Sequence, residues 1–350
     1  MIRSAHVVIA TGEFEADLAV LTAELGFRVD AIFPADSPST AIVSLDGTRL
    51  RLESSAVPAP VTLHLLTDDR VGTVTLPGGS TVELRPFTTT YVLPPNQPSL
   101  VITHAGDGPG VGRAGMRYRD LLPGRWGGRF VASHITIPDG GPVPDYVHFH
   151  KVRFQMIFVK SGWVELVYED QGDPFVMHAG DCVLQPPQIR HCVLTSSPGL
   201  EVIEIGCPAE HETIADHALT LPTGVVDPDR DFSGQRFVRH VADGAPYAPW
   251  RIAGWECRDT GIGTATSGLA GARVARPSGT TSGDRIAHDT ELALLVVLAG
   301  QVTFDSDESG PVRLIEASSV AIPGGMPYAL VDPSDDAELL DVTLPATVTS

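Results

Sequence analysis

The chain has 350 residues, which is too many for one ordinary hydrophobic core and predicts two or three domains. Its net charge of −19 disfavours nucleic acid and anionic membrane surfaces as partners, and no apolar run reaches the ~18 residues that span a bilayer. Four cysteines without a C-x-x-C pair, and an N-terminus without a signal-peptide pattern, predict a cytoplasmic protein with reduced thiols.

Residues 1–98 predict a small α/β module. A strand at 5–10, a helical pattern over 13–25 and strands at 28–33, 41–44 and 48–53 give the order β-α-β-β-β. This order resembles one module of the vicinal oxygen chelate (glyoxalase-like) fold. The resemblance implies metal ligands at His6 and Glu53, but a complete site of that kind needs two paired modules. Residues 61–87 show no second helix, so we interpret the module as a packing or dimerisation surface.

Residues 99–225 predict an all-β barrel or sandwich. Strand-like runs separated by Gly, Pro and Asp turns cover 130–137, 146–150, 155–160, 163–168, 175–178, 182–185, 191–195 and 200–205. Many short strands of this kind need a second sheet, or closure of the sheet on itself, to bury their apolar faces.

Three histidines and a glutamine on these strands form the candidate metal site. His148 and His150 point to the same face because side chains alternate along a strand. Gln155 begins the next strand, and His191 follows a proline-containing turn. Neutral imidazoles suit divalent transition metals, and three or four protein ligands leave positions open for water, dioxygen or substrate.

The spacing of these residues resembles the cupin superfamily. The residues that carry the resemblance are His148, His150, Gln155 and Gly162 for the first motif, and Gly180, Pro186 and His191 for the second. The resemblance implies one metal ion, expected to be Fe(II), with Mn, Ni, Co, Cu and Zn as alternatives. Two positions depart from the usual pattern, since Gln155 replaces a glutamate and Gln188 replaces a glycine.

The substitution at Gln155 changes the charge of the predicted site. An amide offers a neutral oxygen, so a divalent ion held by it and three neutral imidazoles keeps its full charge. We expect stronger Lewis acidity, attraction of an anionic or enolisable oxygen substrate, and weaker affinity for the metal. The alternative interpretation is that Gln155 marks a site that has lost its activity.

For the other residues near the site, the sequence predicts only whether they line the cavity or face solvent. Glu201 and Glu204 lie three apart on the last strand, so one of them is predicted to line the cavity. The inward positions of the register are mostly apolar and comprise Tyr146, Val152, Ile157, Val159 and Val193. We expect residues 208–216 to be helical or coiled, with His211 and His217 exposed to solvent.

A second, incomplete copy of the barrel follows at residues 226–350. The repeat is marked by Tyr118-Arg119-Asp120, which precedes His150, and by Cys257-Arg258-Asp259, which precedes His288 at nearly the same distance. When the two copies are aligned in this register, the four ligand positions of the second copy are occupied by Ile286, His288, Ala293 and Tyr328. One of four ligand types survives, so this copy is predicted to be structural. The pairing resembles bicupins, which implies a sheet shared between the barrels.

The predicted fold is therefore mainly β, with two cupin-type barrels, the second degenerate, behind an N-terminal βαβββ module. The resemblance implies a mononuclear non-haem metalloenzyme, a dioxygenase acting on a small enolisable, phenolic or carboxylate substrate. The alternatives are a redox-neutral lyase, isomerase or decarboxylase using the same ion, and a small-molecule-binding cupin without turnover. The predicted partners are a small, anionic substrate and a second copy of the chain in a homodimer.

Overall fold

The computed structural model describes residues 4–68, 70–87, 91–108, 110–111, 116–281 and 283–348. The chain divides into two compact units, Met1–Thr89 and Thr90–Ser350, and strands dominate both. Among the helices in these described ranges, none has the length and apolar character needed to cross a bilayer.

The first unit begins with the predicted β-α-β-β-β order. Its elements are β1 (Val7–Thr11), α1 (Phe14–Ala19) followed by a π-helical turn (Val20–Glu24), β2 (Arg28–Phe33), β3 (Thr40–Leu45) and β4 (Thr48–Ser54). The sheet order is β1-β4-β3-β2, with β1 parallel to β4. Phe14, Leu21 and Leu25 are buried with the sheet residues Ile9 and Leu52 in one core. A smaller sheet of β5 (Thr62–Thr67), β7 (Thr81–Pro86) and β6 (Gly72–Thr75) completes the unit.

The second unit opens with the strands that carry the predicted site. They are β8 (Val101–Thr103), β9 (Gly110–Val111), β10 (Arg117–Asp120), the helical turn α2 (Arg125–Gly128), β11 (Val131–Ile137), β12 (Gly141–Pro142), β13 (His148–His150), β14 (Phe154–Ser161), β15 (Trp163–Tyr168), β16 (Phe175–His178), β17 (Cys182–Leu184), β18 (His191–Ser196), β19 (Leu200–Cys207) and β20 (Thr213–Ala215). Each run predicted between 130 and 205 corresponds to one of these strands.

The rest of the unit repeats this arrangement. It contains β21 (Val238–His240), β22 (Ala248–Pro249), β23 (Trp255–Asp259), α3 (Ile262–Ala265), β24 (Gly271–Pro277), β25 (Leu292–Ala299), β26 (Gln301–Ser306), β27 (Gly310–Ile315), β28 (Ser319–Ile322), β29 (Tyr328–Val331) and β30 (Glu338–Leu344).

Each half of this unit is a sandwich of two sheets. In the first sandwich, the sheet β21-β17-β14-β19-β11-β10-β9 faces the sheet β16-β15-β18-β13-β20. In the second sandwich, β22-β23-β24-β30-β25-β28-β8 faces β27-β26-β29. The strand order β10-β11-β19-β14-β17 recurs as β23-β24-β30-β25-β28, which matches the internal repeat in the sequence. The hydrogen bonding between described strands does not close either sandwich into the predicted barrel.

The two sandwiches pack through their larger sheets. Alternate residues of β14, such as Phe154 and Met156, and of β25, such as Leu292 and Leu294, enter one common core. The residues between them face the interior of their own sandwich, for example Ile157 in the first and Leu295 in the second. These strands are therefore buried on both faces, which explains the unbroken apolar sequence of β25.

The halves also exchange strands and hydrogen bonds. β8 precedes the first sandwich but pairs with β28 of the second, and β21 pairs with β17 of the first. Arg119 on β10 donates to the carbonyl of Ala317 at 2.6 Å, and Arg258 on β23 donates to the carbonyl of Gly180 at 3.0 Å. Arg119 thus reaches the turn before β28, and Arg258 reaches the turn before β17. The sheet sharing that the resemblance implied takes the form of this reciprocal exchange.

Candidate metal centre

Two neighbouring strands bring the three predicted histidines together inside the first sandwich. β13 presents His148 and His150 on one face, and β18 places His191 directly opposite His148. All three side chains are buried. Their ring centroids are 4.3 to 5.3 Å apart, and their potential ligand atoms all lie within 4.8 Å of one another. This spacing suits three ligands of one metal ion.

The hydrogen bonds of the histidines orient one nitrogen of each ring away from the backbone. Nδ1 of His148 lies 2.7 Å from the carbonyl oxygen of Tyr146, and Nδ1 of His191 lies 3.1 Å from that of Ile189. A carbonyl only accepts, so each Nδ1 carries the hydrogen and each Nε2 keeps a lone pair. Nδ1 of His150 is 3.3 Å from the hydroxyl of Thr213. Such outer partners fix the tautomer and the ring orientation of metal-binding histidines.

The environment keeps His150 neutral. Burial and, to a smaller extent, the neighbouring imidazoles of His191, His211 and His148 together lower the pKa of His150 from 6.5 to about 2. A neutral imidazole is the form that binds a metal. The imidazole of His150 therefore has a nitrogen lone pair available for a metal at ordinary pH.

Because of this pKa shift, the free energy of unfolding of the metal-free protein should depend on pH. Above pH 6.5 the His150 imidazole is neutral in both folded and unfolded chains, whereas between pH 6.5 and about 2 only the unfolded chain binds the proton. The free energy of unfolding should therefore fall as the pH drops from 7 to 5. Urea unfolding in the presence of a chelator measures this slope, which should be reduced in His150→Gln and unchanged in His217→Gln, a change at an exposed position.

Gln155 lines the same cavity as the triad but is held by a carboxylate. Its side chain is buried on β14, and its Nε2 donates to Oε1 of Glu204 on β19 at 2.6 Å. This bond orients the amide, so that Nε2 faces Glu204. Glu204 is the acidic residue of β19 that faces the cavity, whereas Glu201 contacts His134 and Lys160.

The cavity is small and largely apolar. Its volume is about 100 Å³, and its lining comprises Met116, Tyr118, Ile135, Ile137, His148, His150, Gln155, Ile157, Val164, Leu166, Tyr168, Gln185, His191, Val193, Leu200, Val202 and Glu204. Of the predicted inward positions, Ile157 and Val193 lie in this wall, whereas Tyr146, Val152 and Val159 do not.

Three polar residues of the wall, Tyr118, Tyr168 and Gln185, were not predicted to line it. Tyr168 on β15 is fully buried, its ring stacks on that of His191 with centroids 5.4 Å apart, and its hydroxyl accepts a hydrogen bond from Gln185 at 2.8 Å. Burial raises the pKa of Tyr168, so its hydroxyl stays protonated. Because side chains alternate along β15, the sequence can predict which face of the strand carries Tyr168. No sequence signal distinguishes this tyrosine from an ordinary core residue.

The expectation for residues 208–216 is wrong in part. Residues 208–212 and 216 are irregular chain, which was one of the two expected forms, but Thr213–Ala215 form β20, which pairs with β13. His211 is half-buried with its ring 5.2 Å from that of His150, so the expected exposure of His211 is also wrong, whereas His217 is exposed as predicted. The strand was missed because three residues with mixed polarity carry no periodicity.

The second sandwich keeps the strand pairing of the site, but other residues occupy three of the four ligand positions. The bridge between Ile286 and Tyr328 repeats the pairing of His148 with His191, and Ala293 occupies the place of Gln155 opposite β30. The remaining histidine, His288, accepts the backbone N–H of Thr290 at Nδ1. A neutral ring in this arrangement carries its hydrogen on Nε2 and cannot offer that nitrogen to a metal.

The N-terminal candidates His6 and Glu53 lie apart, since Glu53 is paired with Ala10, four residues along the chain from His6. Glu53 accepts a hydrogen bond from Arg51, and Nε2 of His6 lies 3.3 Å from the hydroxyl of Ser4. Across the described residues, the grouping of histidine, cysteine and acidic side chains that suits a metal is that of His148, His150 and His191.

Comparisons with known proteins agree with this geometry. Residues 133–205, which contain the triad and Gln155, match the family model of the cupin domain (Cupin_2). The first sandwich has a cupin fold. A comparison with curated protein sequences finds no match to the chain.

Solved structures of cupin type resemble the larger part of the chain. The protein Ylba from E. coli is 10% identical, with a TM-score of 0.52 over 75% of this chain and 97% of its own. A putative glyoxylate-induced protein from Pseudomonas aeruginosa is 12% identical, with a TM-score of 0.52 over 75% and 98%. A salicylate 1,2-dioxygenase from Pseudaminobacter salicylatoxidans is 15% identical, with a TM-score of 0.51 over 72% and 86%. At these identities the likeness concerns the fold.

Proposed function

We propose that the protein is a mononuclear non-haem metalloenzyme, a dioxygenase that acts on a small enolisable, phenolic or carboxylate substrate. His148, His150 and His191 would hold the metal through Nε2, with the amide oxygen of Gln155 as a fourth ligand. The observation that carries the proposal is the convergence of three buried imidazoles whose Nδ1 atoms are already engaged. Fe(II) is the ion we propose first.

The fold of the cupin relatives supports the oxidative reaction. One of them is a salicylate 1,2-dioxygenase, and salicylate combines a phenolate with a carboxylate. When bound, a divalent iron would supply Lewis acidity and a place for dioxygen to react. Three neutral imidazoles and an amide leave the charge of the ion uncompensated, which favours an anionic oxygen of the substrate.

The other residues of the cavity would position the substrate. Ile157, Val193 and Leu166 form an apolar wall that excludes water and holds the carbon skeleton. The hydroxyl of Tyr168 is fixed by Gln185, which makes it an oriented donor near His191. The cavity of about 100 Å³ is smaller than the roughly 150 Å³ cavity that holds benzene, so a bound molecule would have to be small or reach into the opening.

The test begins with the metal and continues with oxygen. Purified protein, reconstituted anaerobically with Fe(II), should bind about one ion per chain by elemental analysis. An oxygen electrode then screens small hydroxy-acids and phenols, with salicylate and gentisate first, for consumption of dioxygen that requires both ion and substrate. A chain that binds no transition metal after reconstitution contradicts the proposal.

A redox-neutral reaction at the same ion is the second candidate. The observation in its favour is the carboxylate of Glu204 in the cavity wall, because lyases and isomerases need a group that accepts or donates a proton. Turnover of a substrate at an undiminished rate in the absence of dioxygen selects this candidate over the dioxygenase.

The role of Gln155 is tested by exchanging its amide with the carboxylate beside it. Gln155→Glu should tighten metal binding because a carboxylate is attracted to the ion more strongly than an amide. The gain should be limited by repulsion from Glu204, whose Oε1 lies 2.6 Å from Nε2 of Gln155. The double variant Gln155→Glu/Glu204→Gln removes that repulsion and should bind the metal at least about tenfold more tightly than the wild type, which corresponds to about 1.4 kcal/mol.

Competition with a chelator of known affinity measures these constants. Ala293→Ser, at the equivalent position of the second sandwich, is the matched control and should leave the affinity unchanged. An affinity that is the same in the wild type, the single variant and the double variant would show that residue 155 does not face the ion.

A further inference from the structure

The carboxylate of Glu204 stands in the cavity without a cationic partner among the described residues. It lines the cavity with the histidine triad, and its Oε1 accepts a hydrogen bond from the neutral amide of Gln155. The ion pairs found in the described part of the chain include Glu201 of the same strand but not Glu204. A half-buried carboxylate in an apolar wall is costly unless a positive group or several donors approach it.

In the second sandwich, the residue equivalent to Glu204 has a cationic partner. Ile157 of β14 lies opposite Glu204, and Leu295 of β25 lies opposite Asp341, so Asp341 is the counterpart of Glu204. Asp341 is fully buried and accepts hydrogen bonds from both terminal nitrogens of Arg251, at 2.9 Å for the longer bond. A nitrogen of Arg251 also lies 3.5 Å from the hydroxyl of Tyr328, the counterpart of His191.

The inward acidic residue is therefore present in both copies, and in the second copy a guanidinium lies between the counterparts of His191 and Glu204. In the first copy the same region is the cavity. Glu204 does not join the cluster of His148, His150 and His191, whose ligand atoms lie within 4.8 Å of one another. Its position apart from the triad favours contact with a ligand over direct coordination of the metal.

We infer that Glu204 determines specificity by binding a protonated amine of the substrate. Resting on the proposed metal function, this assigns the substrate class as a small molecule with an oxygen for the triad and a cationic nitrogen for Glu204. The nitrogen would donate to the carboxylate, much as Arg251 donates to Asp341. The apolar wall would contact the carbons between the two groups.

Matched pairs of small acids test the assignment. Each pair has the same number of non-hydrogen atoms and differs in an ammonium or a methyl group at one end: glycine and propionate, β-alanine and butyrate, 4-aminobutyrate and valerate. The series varies the span between oxygen and nitrogen. Titration calorimetry on the metal-loaded full chain measures the affinities, and elemental analysis records the metal content of each sample.

We expect the amine of at least one pair to bind at least about tenfold more tightly than its methyl counterpart. Glu204→Gln should remove this preference and keep the metal, while Glu204→Asp should retain part of it. Glu201→Gln, on the same strand but outside the cavity lining, is the control and should keep the preference.

The contrary outcomes are distinct. Equal affinities within every pair on metal-loaded wild type, or a preference that survives in Glu204→Gln, overturn the assignment and leave the proposed function standing. Loss of the metal in Glu204→Gln overturns it by making Glu204 a ligand of the ion. A wild type that binds no metal overturns the proposed function together with the assignment.

Discussion

Replacing His191 by alanine is expected to lower the affinity for a divalent metal by more than about a hundredfold. His191 is one of three buried imidazoles that face one point, and its ring lies closest to that of His148, with centroids 4.3 Å apart. Its loss leaves two imidazoles and an amide, a set with fewer ligands than mononuclear sites normally use. Since even the outer partners of metal ligands are typically worth about 10–100-fold, the loss of a ligand itself should exceed that range.

The measurement is the metal content after equilibration with a competing chelator, with circular dichroism as a check that the strands are retained. His288→Ala is the control, because His288 occupies the place of His150 in the second sandwich but has its Nδ1 engaged as an acceptor. We expect its metal affinity to equal that of the wild type. An equal loss in His288→Ala and His191→Ala would place the metal outside the first sandwich.

Only part of the triad's placement depends on a local rule. His148 and His150 share a face since side chains alternate along any strand, whereas the approach of His191 to His148 depends on the long-range pairing of β18 with β13. The same rule separates Glu201 from Glu204. It did not show which of the two faces the cavity, because that depends on the register between β19 and β14, which pairs Glu204 with Ile157.

Features set by long-range packing could not be predicted. The exchange of β8 and β21 between the halves joins strands far apart in the sequence, and three residues of extended chain carry no periodicity that marks their partner. β20 was not predicted for the same reason. The expected closure into barrels followed from the resemblance and from the number of strands, whereas the described hydrogen bonds form two facing sheets in each half.

Arg251 was missed because it precedes β23 in an irregular segment and its partner Asp341 is 90 residues away. The sequence identified the loss of ligands from the second copy but not what replaced them. In the structure, the guanidinium contacts the counterparts of Glu204 and His191, and its carbon lies 4.4 Å from the ring centroid of Trp250. The second sandwich thus fills its interior with an ion pair and aromatic rings.

The second large effect concerns this ion pair. Arg251→Met is expected to lower the free energy of unfolding by about 3–5 kcal/mol, because it leaves the carboxylate of Asp341 buried with Trp250 Nε1, 3.2 Å away, as its remaining described side-chain donor. Urea unfolding at neutral pH measures the loss. Arg285→Met is the matched control, since Arg285 pairs with Asp305 and Asp307 at the surface, and its loss should cost less than about 1 kcal/mol.

The double variant Arg251→Met/Asp341→Leu separates the value of the pair from the cost of an unpaired charge. Replacing both members by apolar side chains removes the buried carboxylate, so most of the stability lost in Arg251→Met should return. If the double variant is as unstable as the single one, packing around the Arg251 side chain, and not the charge on Asp341, holds the second sandwich together. Metal affinity should match that of the wild type in every variant that folds, because the triad lies in the other sandwich.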